Sequence, residues 1–343
     1  VNIYDTIVQI IVFGLGAAIG SFLNVVVYRV PAGLSVIWPP SRCPKCLHQL
    51  GMGENIPILG WMLLRGKCRH CRTPISPRYP LIEALTAIIF VIVYNRFGLS
   101  IQTVGYSLLM CWLLALTLID LDTMTLPNSL TQSGLVLGLV FRFAAGYLDN
   151  NHSIVGGRDH LIQGILGMVL GIWAYEIVGI LSSIMAGQPA QGGGDPKLMA
   201  MIGAWFGWKV IPLSGMVAAV FGLMGFGIVA LYSWVKSGKT TGANKLSQPL
   251  PFGPFIAFGA ITILFEEDWL ISTYQQYTRW HYYNLSSIIL LISLVLLFFW
   301  MRKRRLRSSF YSSFGCEKDV CEVCDFSLWI DVKRVPIAGT LFK

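Results

Sequence analysis

Charge is what this sequence has least of. Asp, Glu, Lys and Arg together make up 13% of its 343 residues, against about 25% in an ordinary soluble domain. That scarcity excludes a typical soluble protein, because so little polarity cannot cover a water-facing exterior. The apolar run 7–28 has no basic segment ahead of it and is too long for the core of a signal peptide, so it reads as a retained span. Acids are scarcer than bases, 17 against 26, for a net charge of +9. The excess lies in 29–80, 236–245 and 302–307, next to apolar runs, which makes it a signal of membrane topology. The same placement disfavours nucleic acid as a partner.

What the chain has in abundance is apolar length. It is 55% apolar, with 11 Trp and 19 Phe. Runs long enough to cross a bilayer fall at 6–28, 80–97, 102–119, 129–148, 161–186, 197–212, 213–235, 252–271 and 284–301. The sixth is short. The expected fold is therefore an all-α polytopic membrane protein of about 8–9 transmembrane helices. Lys and Arg crowd loop 29–80, segment 236–250 and the residues after 301. An outside N-terminus with nine spans puts all three in the cytoplasm. The acidic Glu266–Asp268 then lies outside, and loops 120–128 and 187–196 share the cytoplasmic face. Gly14-x-Gly16-x-x-x-Gly20 sits inside the first span, where small residues four apart serve helix packing. A dinucleotide-binding reading would need a preceding strand.

Loop 29–80 carries Cys43-x2-Cys46 and, twenty-one residues later, Cys68-x2-Cys71. Two such knuckles read as a four-thiolate zinc site joining two hairpins, a small zinc-ribbon-like domain. Paired disulfides are the bland alternative, and a reducing cytosol argues against them. His48 and His70 lie beside the knuckles and are not needed as ligands. The loop is otherwise short of large apolar groups, so the metal would supply its folding free energy. This gives five expected regions: a first helix (1–29), the zinc domain (30–79), a membrane core (80–272), an added span (273–301) and a tail (302–343). The tail's Cys316, Cys321 and Cys324 lack a fourth ligand at matching spacing.

Two short stretches carry the chemistry, 120–128 (DLDTMTLPN) and 192–198 (GGGDPKL). Each sets an aspartate at the end of a long apolar run, and carboxylates are costly near a bilayer. Asp120 and Asp122 are two apart and cannot share a helix face, so one points inward and the other caps or meets solvent. Gly192, Gly193 and Gly194 permit close backbone approach. Asp195 falls where a helix N-cap belongs, with Pro196 at the first helical position. Glu176 is a further acid within a span, open between a function and a polar partner in the bundle.

These landmarks, with GSFLNVVVYR (20–29), ENIP (54–57), RYPLIEALTA (78–87) and PFGPF (251–255), resemble those of the type IV prepilin peptidases over roughly residues 10–265. That family combines a leader peptidase with an N-methyltransferase in the bacterial inner membrane. The resemblance implies an aspartyl protease of the GxGD type, with Gly192-x-Gly194-Asp195 as the motif. It implies Asp120 as the second catalytic acid, by its distance to Pro127, and Asp122 as the fallback. Gly192, Gly194 and Lys197 are supporting candidates. It further implies prepilins or pseudopilins as substrates, membrane lipid as surroundings, and S-adenosylmethionine as methyl donor, although no methyl-donor motif is visible. Pro196 replaces the hydrophobic residue usual after the motif Asp, and the segment after 270 has no counterpart.

Two close carboxylates share a proton more readily than both ionise. Helix dipoles suggest Asp195 as the ionised base and Asp120 as the protonated acid. Glu54 and Glu83 are candidates for contacting a basic leader, since the loop's other charges are eight Lys/Arg. Two readings compete: a non-catalytic zinc-ribbon assembly protein, and a transporter with acidic relay residues. The first leaves the two same-side aspartates and the glycine run unexplained, and neither predicts a shortened prepilin.

Overall fold

A computed structural model of the chain describes residues 3–149, 152–187, 192–245 and 251–265, all within one compact unit, Val1–Ser272. Span 284–301 and the cysteine tail lie outside the described residues. The elements are α1 (Ile3–Arg29), α2 (Leu59–Leu63), α3 (Arg78–Phe97), α4 (Ile101–Thr123), α5 (Asn128–Asp149), α6 (Ile154–Ala186), α7 (Asp195–Phe206), α8 (Val210–Lys245) and α9 (Gly253–Phe265). Among the described residues, extended pairing is limited to two isolated bridges in the cysteine loop. The chain is an all-α polytopic membrane protein.

Four of these helices, Ile3–Arg29, Arg78–Phe97, Ile101–Thr123 and Ile154–Met185, are long and apolar enough to cross a membrane. The described helices differ from the expected series of spans at the short sixth one. The run 197–212 is not one span. α7 has 12 residues, about 18 Å of helix, against roughly 30 Å of hydrocarbon. It stops at Gly207, whose φ of +88° no β-carbon-bearing residue adopts easily, and α8 begins at Val210. α7 is apolar for another reason: Asp195, Pro196 and every residue from Leu198 to Phe206 are buried. Hydropathy rises equally for a helix in lipid and for one enclosed by protein.

Close packing holds the bundle, because lipid offers no hydrophobic drive between helices. On α1, a β-carbon at Gly16 would stand 2.7 Å from the Ala87 Cα, and one at Gly20 2.8 Å from the Glu83 Cα. These glycines let α1 and α3 touch backbone to backbone. Gly14 faces open space and takes no part. α7 is clasped in the same way: Gly203 meets the Gly167 carbonyl of α6, and the Trp205 indole N–H donates to the Gly134 carbonyl of α5 at 2.8 Å. The result is a rigid seat for the α7 N-terminus.

Candidate active site

α4 ends close to the first aspartate. Met124 turns the chain in the left-handed region (φ 53°), and its N–H donates to the Asp120 carbonyl at 2.8 Å. Asp120, in the last turn, is 5% exposed. Asp122, on the opposite face, is exposed and takes both prongs of the Arg78 guanidinium at 2.9 and 2.6 Å. The two-residue spacing thus separates one inward acid from one outward acid. Because that ion pair is solvent-exposed, Asp122→Asn is expected to cost less than about 1 kcal/mol of stability. Thermal unfolding in detergent checks it, and a larger loss would give the pair a structural role.

Asp195 opens α7 and is 7% exposed. The cap lies one residue earlier than expected. Gly194 is the N-cap, Asp195 begins the helix, and Pro196 falls within its first two positions. Proline needs no hydrogen-bonded N–H there, so the shift changes nothing essential. Tyr175 of α6 lies within electrostatic reach of Asp195.

Two contacts join the aspartate stretches. A β-carbon at Gly194 would meet the Leu126 side chain at 2.8 Å, so that glycine is required by close approach. Lys197 Nζ donates to Asn128 Oδ1 at 2.7 Å. Gly192 and Gly193 border open space. A third segment completes the site. The Gly253 N–H donates to Asp120 Oδ2 at 3.0 Å, across 133 residues of sequence. An oxygen that accepts from a backbone N–H is the less favourable place for a proton, so the contact favours Oδ1 as the protonated oxygen of Asp120. A β-carbon at Gly253 would stand 2.6 Å from Oδ2. The sequence flagged PFGPF as a landmark but did not show that its glycine touches an acid.

The other carboxylates differ in placement. Glu83 is buried and accepts from the Ile58 N–H at 2.7 Å, which ties the cysteine loop to α3. Glu54 accepts from Gly51 N–H at 2.9 Å and lies 4.0 Å from Arg69. Glu176 is exposed on the outer face of α6 rather than turned into the bundle.

In the loop, each cysteine knuckle is bracketed by a bridge, Arg42 with Gln49 and Lys67 with Pro74. The four sulfurs lie within 4.8 Å of one another, with Cys43–Cys71 at 3.7 Å and Cys46–Cys68 at 3.9 Å. A tetrahedron with sulfurs about 2.3 Å from its centre has edges of about 3.8 Å. The donor set therefore fits one thiolate-bound ion. The Thr73 hydroxyl and backbone hold the Cys71 thiol down at about 6, which favours the ligating thiolate. The His48 and His70 rings pack on each other, centroids 3.5 Å apart.

Comparison with known proteins bears on both halves. The sequence model for the bacterial peptidase A24 N-terminal domain matches residues 14–97, and that for the type IV leader peptidase family matches 107–227. A prepilin leader peptidase/N-methyltransferase of Aeromonas hydrophila is 34% identical over 300 residues, covering 80% of this chain and 93% of its own. The chain belongs to the type IV leader peptidase family. A like-named protein of Aeromonas salmonicida strain A449 is 35% identical over 296 residues, 77% of this chain and 94% of its own. One from Myxococcus xanthus is 33% identical over 250 residues, 73% and 70% of the two chains. No solved structure matches. Within the leader peptidase family assignment, the peptidase model spans both aspartate stretches, and the N-terminal model spans the four cysteines.

Proposed function

We propose that the chain is a membrane aspartyl endopeptidase that removes the leader from type IV prepilins or pseudopilins and N-methylates the new N-terminus. The observation that carries this reading is the burial of Asp120 and Asp195 on two stretches held together by Gly194–Leu126 and Lys197–Asn128, in a chain of this family. A non-catalytic assembly protein leaves that arrangement unexplained, and a transporter with acidic relay residues predicts no shortened prepilin.

In this reading one carboxylate takes a proton from water as the water oxygen attacks the scissile carbonyl carbon. The other carboxyl gives its proton to the carbonyl oxygen. Collapse of the tetrahedral species breaks the C–N bond: the proton first taken from water leaves with the amine, and one hydroxyl of the gem-diol returns its proton to the second carboxylate, which restores the pair. Gly253 fixes Asp120 Oδ2, leaving Oδ1 as the reacting edge. The open space at Gly192 and Gly193 admits an extended substrate backbone. S-adenosylmethionine supplies the methyl group when bound. Cys43, Cys46, Cys68 and Cys71 would hold Zn2+, which organises the loop and takes no part in cleavage. The basic loop and both aspartates face the cytoplasm at the bacterial inner membrane, by the positive-inside rule.

Purified protein incubated with a prepilin in detergent is expected to yield a shortened, N-methylated product by mass spectrometry. An intact prepilin would contradict the peptidase reading. Gly253→Ala is expected to lower the cleavage rate about 10–100-fold with little change in KM, because its β-carbon displaces Oδ2. A rate within twofold of wild type would remove Gly253 from the site.

A further inference from the structure

A cleft of about 330 Å³ runs along α1 beneath the first part of the cysteine loop. Its two ends differ. Arg29, Ser41 and Asn55 line the loop end beside Val36 and Ile37, whereas Ala18, Ser21, Phe22 and Val25 line the stretch further along α1. Arg29 and Ala18 are eleven residues apart on one helix, roughly 16 Å along its axis. The cleft therefore runs from the end of a membrane-spanning helix toward the bilayer interior, with its one charged residue, Arg29, at the loop end and the Phe22 and Val25 side chains further in.

Arg29 is fixed by the start of the loop. Its guanidinium donates to the carbonyls of Ser35 at 3.0 Å and Pro39 at 2.7 Å. Those bonds use two of five N–H groups and fix the plane of the fork. Among the described residues, no Asp or Glu lines the cleft or lies within ion-pair reach of Arg29. The cation is half-buried and has no counter-charge among the described residues, in a loop with eight Lys/Arg and one acid. Ile37, which lines the cleft, is 85% exposed, and its neighbour Trp38 is 73% exposed. Trp is favoured at the level of lipid headgroups.

An oriented arginine without a counter-ion favours an anion with several oxygens, which a phosphate provides. The apolar lower end favours a chain attached to that anion. We propose that this cleft is a binding site for an anionic phospholipid, with the phosphate at Arg29, Ser41 and Asn55 and an acyl chain along Phe22 and Ala18. A free phosphate would leave the lower end unused. A nucleoside methyl donor is cationic at sulfur, and the cleft offers it no acid. The site is independent of the cleavage reaction, so its test needs no peptidase activity.

Delipidated full-length protein in detergent is titrated with phosphatidylglycerol or phosphatidylcholine, and bound lipid is counted by native mass spectrometry. One phosphatidylglycerol is expected to bind at least about tenfold more tightly than phosphatidylcholine. Arg29→Gln should abolish the preference. Ser41→Asp should do the same while keeping the two carbonyl contacts of Arg29, so it decides the matter if Arg29→Gln does not fold. Equal binding of the two lipids, or an undiminished preference in Ser41→Asp, would overturn the proposal. Displacement of the lipid by inorganic phosphate would overturn it in favour of a soluble anion. Displacement by S-adenosylhomocysteine would overturn it in favour of a nucleoside site.

Discussion

Asp120→Asn and Asp195→Asn are each expected to lower kcat/KM for leader removal by about 10⁴-fold. The substitution is nearly isosteric, so packing around these buried groups is retained. At position 120 the amide oxygen still accepts from the Gly253 N–H, so the anchor seen here is kept. What is lost is the capacity to hold and pass a proton. Groups that act as one unit lose function together, so the double variant should be scarcely worse than either single one. Asp122→Asn, outside the site and paired with Arg78, should retain most activity. Methylation of an already cleaved pilin peptide should survive in both catalytic variants, which separates lost proteolysis from lost folding. Normal cleavage by either variant would remove that residue from the mechanism.

Cys43→Ser and Cys71→Ser are expected to have the largest effect on the loop. Structural zinc in four-thiolate sites contributes on the order of 10–16 kcal/mol at neutral pH. Beyond local turns, the loop is held by two isolated bridges, the Trp61 indole bonded to the Ile75 carbonyl at 3.0 Å, the Arg29 guanidinium on the Ser35 and Pro39 carbonyls, and the Ile58–Glu83 tie to α3. Elemental analysis should fall from one zinc per chain to near none, and limited proteolysis should open residues 30–79. α5, α6 and α7 pack on one another through Gly134, Gly167, Gly203 and Trp205, away from the loop, so they should remain folded. Unchanged zinc in either variant would refute the assignment.

Local chemistry made much of this protein legible in its sequence. The cysteine knuckles are short-range patterns whose spacing already constrains the geometry. The carboxylates at 120 and 195 stand out because acids are expensive at the ends of apolar runs. The span series was less legible. α7 has a membrane-like composition, yet it is enclosed by α5 and α6, and hydropathy cannot distinguish lipid from protein as surroundings. Long-range contacts were hidden altogether. Nothing near Gly253 announces Asp120, and nothing near Ile58 announces Glu83. Among the three motif glycines, only Gly194 proved to be packed, because only the position of Leu126 decides it.

The central claim is that Asp120 and Asp195 form one proton-sharing pair. Infrared difference titration of the carboxyl C=O stretch tests it most directly. In the wild type, a single protonated carboxyl is expected near neutral pH, and replacing either aspartate should shift or abolish the titration of the other. Two carboxyl groups that titrate independently, each unaffected by loss of its partner, would contradict the account.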